Sequence, residues 1–192
     1  MHKIPTLLTR DEDDRRHVTD EVTPGCEWVL DGEGIATRKY DGTCVMLDDS
    51  GHWWARREIK PGKATPANYV ATGTDEVTGK VMGWEPIDQS PFIKAHKDAL
   101  EHTRVFAHNE PMGWVPSTYE LIGPKVQGNP EKVDHHQLVS HEHAETFGAT
   151  GTPRSVSDVR LLVKAVANTG WEGIVWHHPD GRMAKLKARD LA

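Results

Sequence analysis

The sequence is poor in cysteine and in long apolar runs, and both shortages narrow the classes of protein to which it can belong. Only Cys26 and Cys44 are present among 192 residues, which excludes a framework of several disulfides and a four-cysteine zinc site. No run approaches about 18 apolar residues, the length of a membrane span. The N-terminal segment also lacks the apolar core of a secretory signal. We therefore expect a cytoplasmic protein without a membrane partner.

Length and charge indicate one globular domain over residues 1–192, since two full domains would be cramped. The 23 basic and 29 acidic residues give a net charge of −6, which argues against a basic coat for nonspecific nucleic-acid binding but leaves room for a local cationic groove. Residues 10–21 hold six acidic and three basic side chains. We therefore predict that residues 1–25 form an acidic, solvated N-terminal arm.

Turn residues and apolar patterns predict many strands and two helices. Glycine and proline punctuate the chain at short intervals, as in sheets whose strands are joined by turns. Strands are predicted over residues 35–39, 43–48, 52–57, 104–108, 118–122, 137–140, 173–177 and 182–187. Helices are predicted over residues 89–101 and about 157–167, the second capped by Ser155 or Ser157. The class is therefore α+β rather than a doubly wound parallel sheet.

The first segment with chemical potential is RKYDGT, residues 38–43, at a predicted turn between two strands. A lysine held at the end of a strand can act as a nucleophile, and the glycine after Asp41 would let a nucleotide approach the backbone closely. The same residue types also form ordinary charged β-turns. This segment alone does not decide between the two interpretations.

Two further segments place charged side chains in predicted strands. Residues 118–123, TYELIG, put Glu120 into an apolar strand, where it faces a polar cleft or lies on an exposed edge. Residues 172–187 predict a hairpin whose strands would present Lys185 and Lys187 on the same face. Adjacent cations repel unless an anion lies between or above them, and phosphate is the natural candidate. A solvent-facing pair of lysines is the alternative.

Taken in order, KYDGT, TYELIG, EGIVW and AKLK resemble the serial motifs of the covalent nucleotidyltransferases, the superfamily of nucleic-acid ligases and capping enzymes, over 149 of the 192 residues. Further segments resemble the ATP-dependent RNA ligases that include the vertebrate 5′-to-3′ RNA ligase. These are WAR at residues 54–56, KP at 60–61, GW at 83–84 with proline at 86, ELIG at 120–123, NP at 129–130, EGIVWH at 172–177 and DG at 180–181. The resemblance implies an antiparallel-sheet adenylation domain with flanking helices and a nucleotide cleft between sheets. The chain stops five residues after Lys187, where many ligases continue into a C-terminal domain, so we expect a single minimal domain.

The chemistry that the resemblance implies is RNA ligation driven by ATP, with Mg²⁺ or Mn²⁺ as the metal. Lys39 would form a lysyl-AMP, the AMP would pass to the 5′-phosphate of an RNA end, and a 3′-hydroxyl would displace it. Arg56, Lys185 and Lys187 would crowd Lys39 and favour its neutral, nucleophilic amine. RNA ends with a 5′-phosphate and a 3′-hydroxyl are the expected partners.

The resemblance also assigns roles to individual residues. Nucleotide contacts fall on Thr37, Arg38, Arg56, Glu120, Glu172, Ile174, Lys185 and Lys187. Glu172 is the expected carboxylate on the metal side, holding the divalent cation directly or through water, and Ile174 would pack against adenine. Arg57 is the fallback for Arg56. Asp41 and His141 are further candidates for the site.

Several alternatives stay open at this point. Arg38 stands before Lys39 where many relatives have glutamate, so the choice of ATP over GTP rests on the family alone. The same lysine chemistry serves DNA nick-sealing ligases and RNA-capping guanylyltransferases. A non-catalytic nucleotide or nucleic-acid binding module is a third possibility. Four of the twelve histidines lie within residues 135–143, but their spacing matches no zinc module with a complete ligand set.

Overall fold

The computed structural model of the protein describes residues 3–102, 105–107, 110–147 and 152–191. In these residues the strands are β1 (Leu8–Arg10), β2 (Val18–Val22), β3 (Ile35–Lys39), β4 (Thr43–Leu47), β5 (Trp53–Ile59), β6 (Val70–Thr74), β7 (Val81–Pro86), β8 (Val105–Ala107), β9 (Glu110–Met112), β10 (Ser117–Ile122), β11 (Gln137–Ser140), β12 (Gly173–His177) and β13 (Met183–Lys187). The α-helices are α1 (Ile93–His102) and α2 (Val156–Ala167), and short 3-10 helices cover Glu27–Val29, Ile87–Gln89 and Ala188–Leu191.

The predicted α+β class is confirmed, since the sheets are antiparallel and the helices few. The predicted elements lie within a few residues of observed ones, although the strand expected over residues 104–108 falls partly outside the described residues. The sequence did not indicate β1, β2, β6, β7 or β9. Among the described residues, no helix combines the length and the apolar character that crossing a bilayer requires.

The chain divides into two compact units, where the sequence predicts one domain. Unit 1 comprises Met1–Lys3 and Asp41–His143, and unit 2 comprises Ile4–Tyr40 and Ala144–Ala192. Each unit has its own hydrophobic cluster. The boundary between Tyr40 and Asp41 falls inside the segment RKYDGT, so its lysine belongs to unit 2 and its glycine to unit 1.

Unit 1 is built on a six-stranded antiparallel sheet in the order β11, β10, β4, β5, β7 and β6. Side chains alternate between the faces, and one face buries Val45, Leu121 and Leu138 together with Ala99 of α1. The other face carries the residues that alternate with these along each strand. Glu120 on this second face is paired directly with Cys44 across the strands.

Unit 2 is built on a three-stranded antiparallel sheet in the order β13, β12 and β3. Helix α2 buries Val159, Val163 and Val166, whose spacing of four and three residues places them on one side of the helix. The Ser155 hydroxyl accepts a hydrogen bond from the Asp158 N–H at 3.1 Å. Ser155 is therefore the N-cap of this helix, one of the two caps that the sequence allows.

The N-terminal residues do not form the expected solvated arm in the part of the chain that the structure describes. Leu7 and Leu8 are fully buried in the core of unit 2, and β1 pairs with β2. The Leu7 N–H donates to the Lys185 carbonyl at 2.8 Å, and the Lys185 N–H donates to the Pro5 carbonyl at 3.0 Å. The prediction rested on the charges of residues 10–21. The apolar residues Leu7 and Leu8 precede these charges, and their burial fixes the segment to the core of unit 2.

His96 is a buried titratable group in the core of unit 1. It lies on α1, is 2% exposed, and its ring centroid is 4.5 Å from that of Trp53. Among the described residues its Nε2 atom has no hydrogen-bond partner. Burial lowers the pKa of His96 from 6.5 to about 4, because the charged imidazolium would lose its hydration. The ring is therefore neutral at physiological pH.

We predict that this histidine makes the protein less stable as the pH falls from about 6.5 to about 4. Over this window the unfolded chain binds a proton that the folded core excludes, so the free energy of unfolding falls by up to about 3 kcal/mol. Urea unfolding of the protein and of His96→Leu at several pH values checks this. The free energy of unfolding of the wild type should fall relative to that of His96→Leu on acidification. The control His52→Asn, at an exposed position, should show the same pH dependence as the wild type. Parallel curves for the wild type and His96→Leu contradict the prediction.

Candidate active site

The sheet of unit 2 brings two lysines into one row. Lys39 on β3 is paired with Gly173 on β12, and Gly173 is paired in turn with Lys187 on β13. Residues paired across antiparallel strands project from the same face. The two lysines therefore flank a residue that has no side chain.

Gly173 is required by the packing of this row. A Cβ atom at this position would lie 2.2 Å from the Leu186 carbonyl oxygen and 2.7 Å from the Lys187 Cα. Because both are backbone atoms, any larger residue has to push β13 away from β12. The glycine thus keeps the two lysine-bearing strands at their observed separation.

Both lysines are held by one carboxylate, that of Glu172. Its Oε2 lies 2.5 Å from the Lys39 Nζ and its Oε1 lies 2.5 Å from the Lys187 Nζ. The Glu172 side chain is 7% exposed, and those of the lysines are 19% and 18% exposed. The anion expected beside Lys185 and Lys187 is phosphate, whereas the carboxylate observed here lies between Lys39 and Lys187.

The electrostatics of the cluster keep Glu172 ionised. Burial alone would raise the pKa of Glu172, but the charges and hydrogen bonds of Lys39 and Lys187 outweigh that effect and hold the pKa below its ordinary value of 4.5. The guanidinium of Arg189 lies 3.5 Å from Oε1 and adds a third cation. Three positive charges around one negative charge leave two in excess, which favours an anionic ligand such as phosphate.

This arrangement bears on the expected metal ligand. A divalent cation bound to Glu172 would enter a position where ammonium groups already face both carboxylate oxygens. Like charges at such separations repel strongly where solvent is scarce. The observed cluster therefore does not fit Glu172 as a direct ligand of Mg²⁺ or Mn²⁺. Its carboxylate acts as the counter-ion of the lysines.

Lys185 and Thr37 lie in the next row on the face of Lys39, each paired with Val175. Thr37 is 7% exposed, and its hydroxyl donates to the Val175 carbonyl at 3.2 Å. The same oxygen lies 3.0 Å from the His177 Nε2. Thr37 is therefore bound within the sheet.

Ile174 and Arg38 point to the opposite face of this sheet, where they are paired with each other across β12 and β3. Ile174 is fully buried in the core with Leu186, so the structure does not place it beside Lys39. Arg38 lies over the ring of Tyr40, with its Cζ 4.4 Å from the ring centroid, and over Trp171 at 5.7 Å. Stacking on aromatic rings accounts for the position of this guanidinium.

In unit 1, the two predicted residues Glu120 and His141 are in contact. The Glu120 Oε2 lies 3.0 Å from the His141 Nε2, and the Glu120 Oε1 accepts the Gly42 N–H at 3.0 Å. The Asp41 N–H donates to the Glu131 Oε1 at 2.8 Å. A Cβ at Gly42 would lie 2.2 Å from a carbonyl oxygen of β10, so packing within unit 1 requires this glycine.

The two candidate arginines point to opposite faces of the six-stranded sheet. The pairing of Val45 with Ala55 places Arg56 on the face of Glu120, where one of its terminal nitrogens lies 3.5 Å from the Met82 sulfur. Arg57 lies on the other face and pairs with the buried Glu85 at 2.7 Å. Arg57 thus has a structural role as the counter-ion of a buried acid.

Sequence reasoning missed Arg189 and Cys44 as members of polar clusters. Arg189 lies in a 3-10 turn, where the two-residue alternation that links Lys185 and Lys187 no longer applies. Cys44 lies opposite Glu120 across two neighbouring strands. Cys44 and Glu120 both belong to predicted strands, but the sequence does not reveal the strand register that pairs them.

Comparisons with known proteins gave no match: no protein-family model fits the chain, and a search of curated proteins found no similar sequence.

We predict that Glu172→Gln lowers the free energy of unfolding by about 2–4 kcal/mol at neutral pH, because Lys39 and Lys187 then lack their counter-ion. The effect should be present above the ordinary glutamate pKa and be lost as the pH falls through the lower folded-state pKa. Urea unfolding measures it. The control Glu145→Gln, which removes the partner of Arg38 at a side chain that is 55% exposed, should cost less than about 1 kcal/mol. Equal stabilities of the two variants would exclude a buried ion cluster.

Proposed function

We propose that this protein is an ATP-dependent RNA ligase whose nucleophile is Lys39. The observation that carries the proposal is the cluster of Lys39, Glu172 and Lys187 at the ends of strands β3, β12 and β13. Such a nucleophile has to be held in place, remain reachable and lie in positive surroundings that attract a triphosphate. Lys39 meets these requirements, since its side chain is 19% exposed and is bonded to Glu172.

In the first step, the Lys39 amine attacks the α-phosphorus of ATP. Lys39 faces Glu172 as an ammonium, so one proton leaves before the attack, and the Glu172 Oε2, 2.5 Å from the Lys39 Nζ, is positioned to accept it. A nitrogen–phosphorus bond then forms, the bond from the α-phosphorus to pyrophosphate breaks, and the nitrogen loses its second proton to water. Lys187 and Arg189 then offset the charge that builds on the phosphate oxygens.

In the later steps, the AMP is transferred to RNA. An oxygen of the RNA 5′-phosphate attacks the lysyl-AMP, which breaks the nitrogen–phosphorus bond and restores Lys39. The 3′-hydroxyl of the other RNA end then attacks the activated 5′-phosphate, so that a phosphodiester forms and AMP leaves. The chain's antiparallel sheets and few helices suit the nucleotidyltransferase architecture that we propose with this activity.

The other residue roles belong to the same proposal. Lys185 shares the sheet face of Lys39 in unit 2, and we assign it a nucleotide contact. Arg57 and Ile174 are left out, since one is paired with a buried acid and the other belongs to the core.

The decisive prediction is an AMP adduct on Lys39. Incubation with ATP and Mg²⁺ or Mn²⁺ should add one AMP to the intact protein, and peptide mapping by mass spectrometry should place it on Lys39. Lys39→Ala should abolish the adduct, whereas Lys164→Ala, at an exposed position of α2, should retain it. An unmodified wild-type protein at several pH values would overturn the enzyme assignment and leave a binding module. Adduct formation with GTP would instead assign the protein to the capping enzymes. Sealing of DNA nicks and not of RNA ends would assign it to the DNA ligases.

A second prediction concerns the cation opposite the nucleophile. Lys187→Ala should slow the formation of the lysyl-AMP by about 10²-fold, because one group that stabilises charge on the reacting phosphate is removed. The rate is read from labelled AMP on the protein in single-turnover experiments. Lys164→Ala is again the matched control. A Lys187→Ala rate within about twofold of wild type would remove Lys187 from the proposed chemistry.

A further inference from the structure

Unit 1 contains a cluster of three metal-ligating side chains that the lysine chemistry does not use. Cys44 on β4 is paired with Glu120 on β10. His141 follows β11, and its N–H donates to the Thr118 carbonyl at 3.1 Å, so it lies across from Thr118. Thr118 and Glu120 are two residues apart on one strand and share a face. Neighbouring strands thus place a thiol, a carboxylate and an imidazole side by side.

The spacing of these groups is close to that of a metal site. One atom from each of Cys44, Glu120 and His141 lies within 4.8 Å of the others, and the Glu120 Oε2 is 3.0 Å from the His141 Nε2. In a tetrahedral zinc site, bonds of about 2.0–2.3 Å separate the ligand atoms by roughly 3.3–3.6 Å. Small side-chain movements bring the three atoms to such distances.

His141 and Glu120 are each oriented by a further partner. The His141 Nδ1 lies 3.0 Å from the Thr118 hydroxyl, which leaves Nε2 turned to the cluster. The Glu120 Oε1 accepts the Gly42 N–H at 3.0 Å, which leaves Oε2 turned the same way. Such outer contacts fix the ring tautomer and the carboxylate in metal sites.

We propose that Cys44, Glu120 and His141 bind one zinc ion, with water as the fourth ligand. A sulfur and an imidazole nitrogen favour a borderline-soft ion, whereas Mg²⁺ prefers oxygen ligands alone. On binding, the Cys44 thiol releases its proton, and the ion takes the place of the hydrogen between the His141 Nε2 and the Glu120 Oε2, which leaves the ring hydrogen on Nδ1 beside the Thr118 hydroxyl. The ion links β4, β10 and the residue after β11. This site goes beyond the proposed ligase activity and does not depend on it.

The test uses the full chain, stripped of metal by a chelator and titrated with Co²⁺ in the absence of ATP and RNA. One equivalent should produce visible bands of tetrahedral cobalt together with a thiolate-to-cobalt charge-transfer band in the near ultraviolet. Zn²⁺ should remove both sets of bands, whereas a large excess of Mg²⁺ should not. Zn²⁺ should also raise the melting temperature of the protein, since it binds only the folded form.

Matched variants locate the ion. Cys44→Ser should abolish the charge-transfer band, and His141→Asn and Thr118→Val should each weaken cobalt binding at least about tenfold. The controls Cys26→Ala and His143→Asn should bind as the wild type does. Circular dichroism checks folding, and Thr118→Val, which keeps all three ligands, serves if Cys44→Ser does not fold. Absence of the charge-transfer band in the folded wild type, its persistence in Cys44→Ser, or unchanged affinity in both His141→Asn and Thr118→Val overturns the proposal.

Discussion

The shared carboxylate of Glu172 is the interaction on which the polar face of unit 2 depends. A carboxylate that is 7% exposed would be strongly destabilising without partners, and two lysines in one row would repel without it. Each charge is therefore tolerated only because the others are present. The register of β3, β12 and β13 cannot shift by even one residue, because such a slip turns Lys39 or Lys187 to the core face. A local ion cluster and the pairing of three strands are thus one constraint.

Much of this sheet could be predicted from the sequence, and the limits have physical causes. Two-residue alternation correctly places Lys185 and Lys187 on one face, and the turn at residues 179–181 correctly predicts the hairpin of β12 and β13. The position of Glu172 was less accessible, because it precedes the strand and alternation within the strand does not govern it. The burial of Leu7 and Leu8 was missed because it depends on tertiary contacts with unit 2, while the neighbouring charges dominate the local pattern.

Register explains which candidate residues are separated. Ile174 is two positions after Glu172, a spacing that would place both on one side of a strand, but Glu172 turns to Lys39 while Ile174 continues the buried face. In unit 1, adjacency made Arg57 a substitute for Arg56. Neighbours in a strand point to opposite faces, and Arg57 accordingly meets Glu85 while Arg56 shares the face of Glu120. Face assignments therefore require the pairing partner as well as the spacing.

The two glycines beside the charged clusters are accounted for by packing within the chain. A Cβ at Gly173 or at Gly42 would come within 2.2 Å of a backbone carbonyl oxygen of its own unit. Gly42 also donates its N–H to Glu120. The chain's own packing thus requires the glycine of RKYDGT without any nucleotide nearby. The glycine is weak support for a ligand, whereas the positive charge of Lys39, Lys187 and Arg189 exceeds the single negative charge of Glu172, which favours an anionic ligand. The excess positive charge around Glu172 is therefore the feature that supports binding of a phosphate, and RKYDGT contributes Lys39 to it.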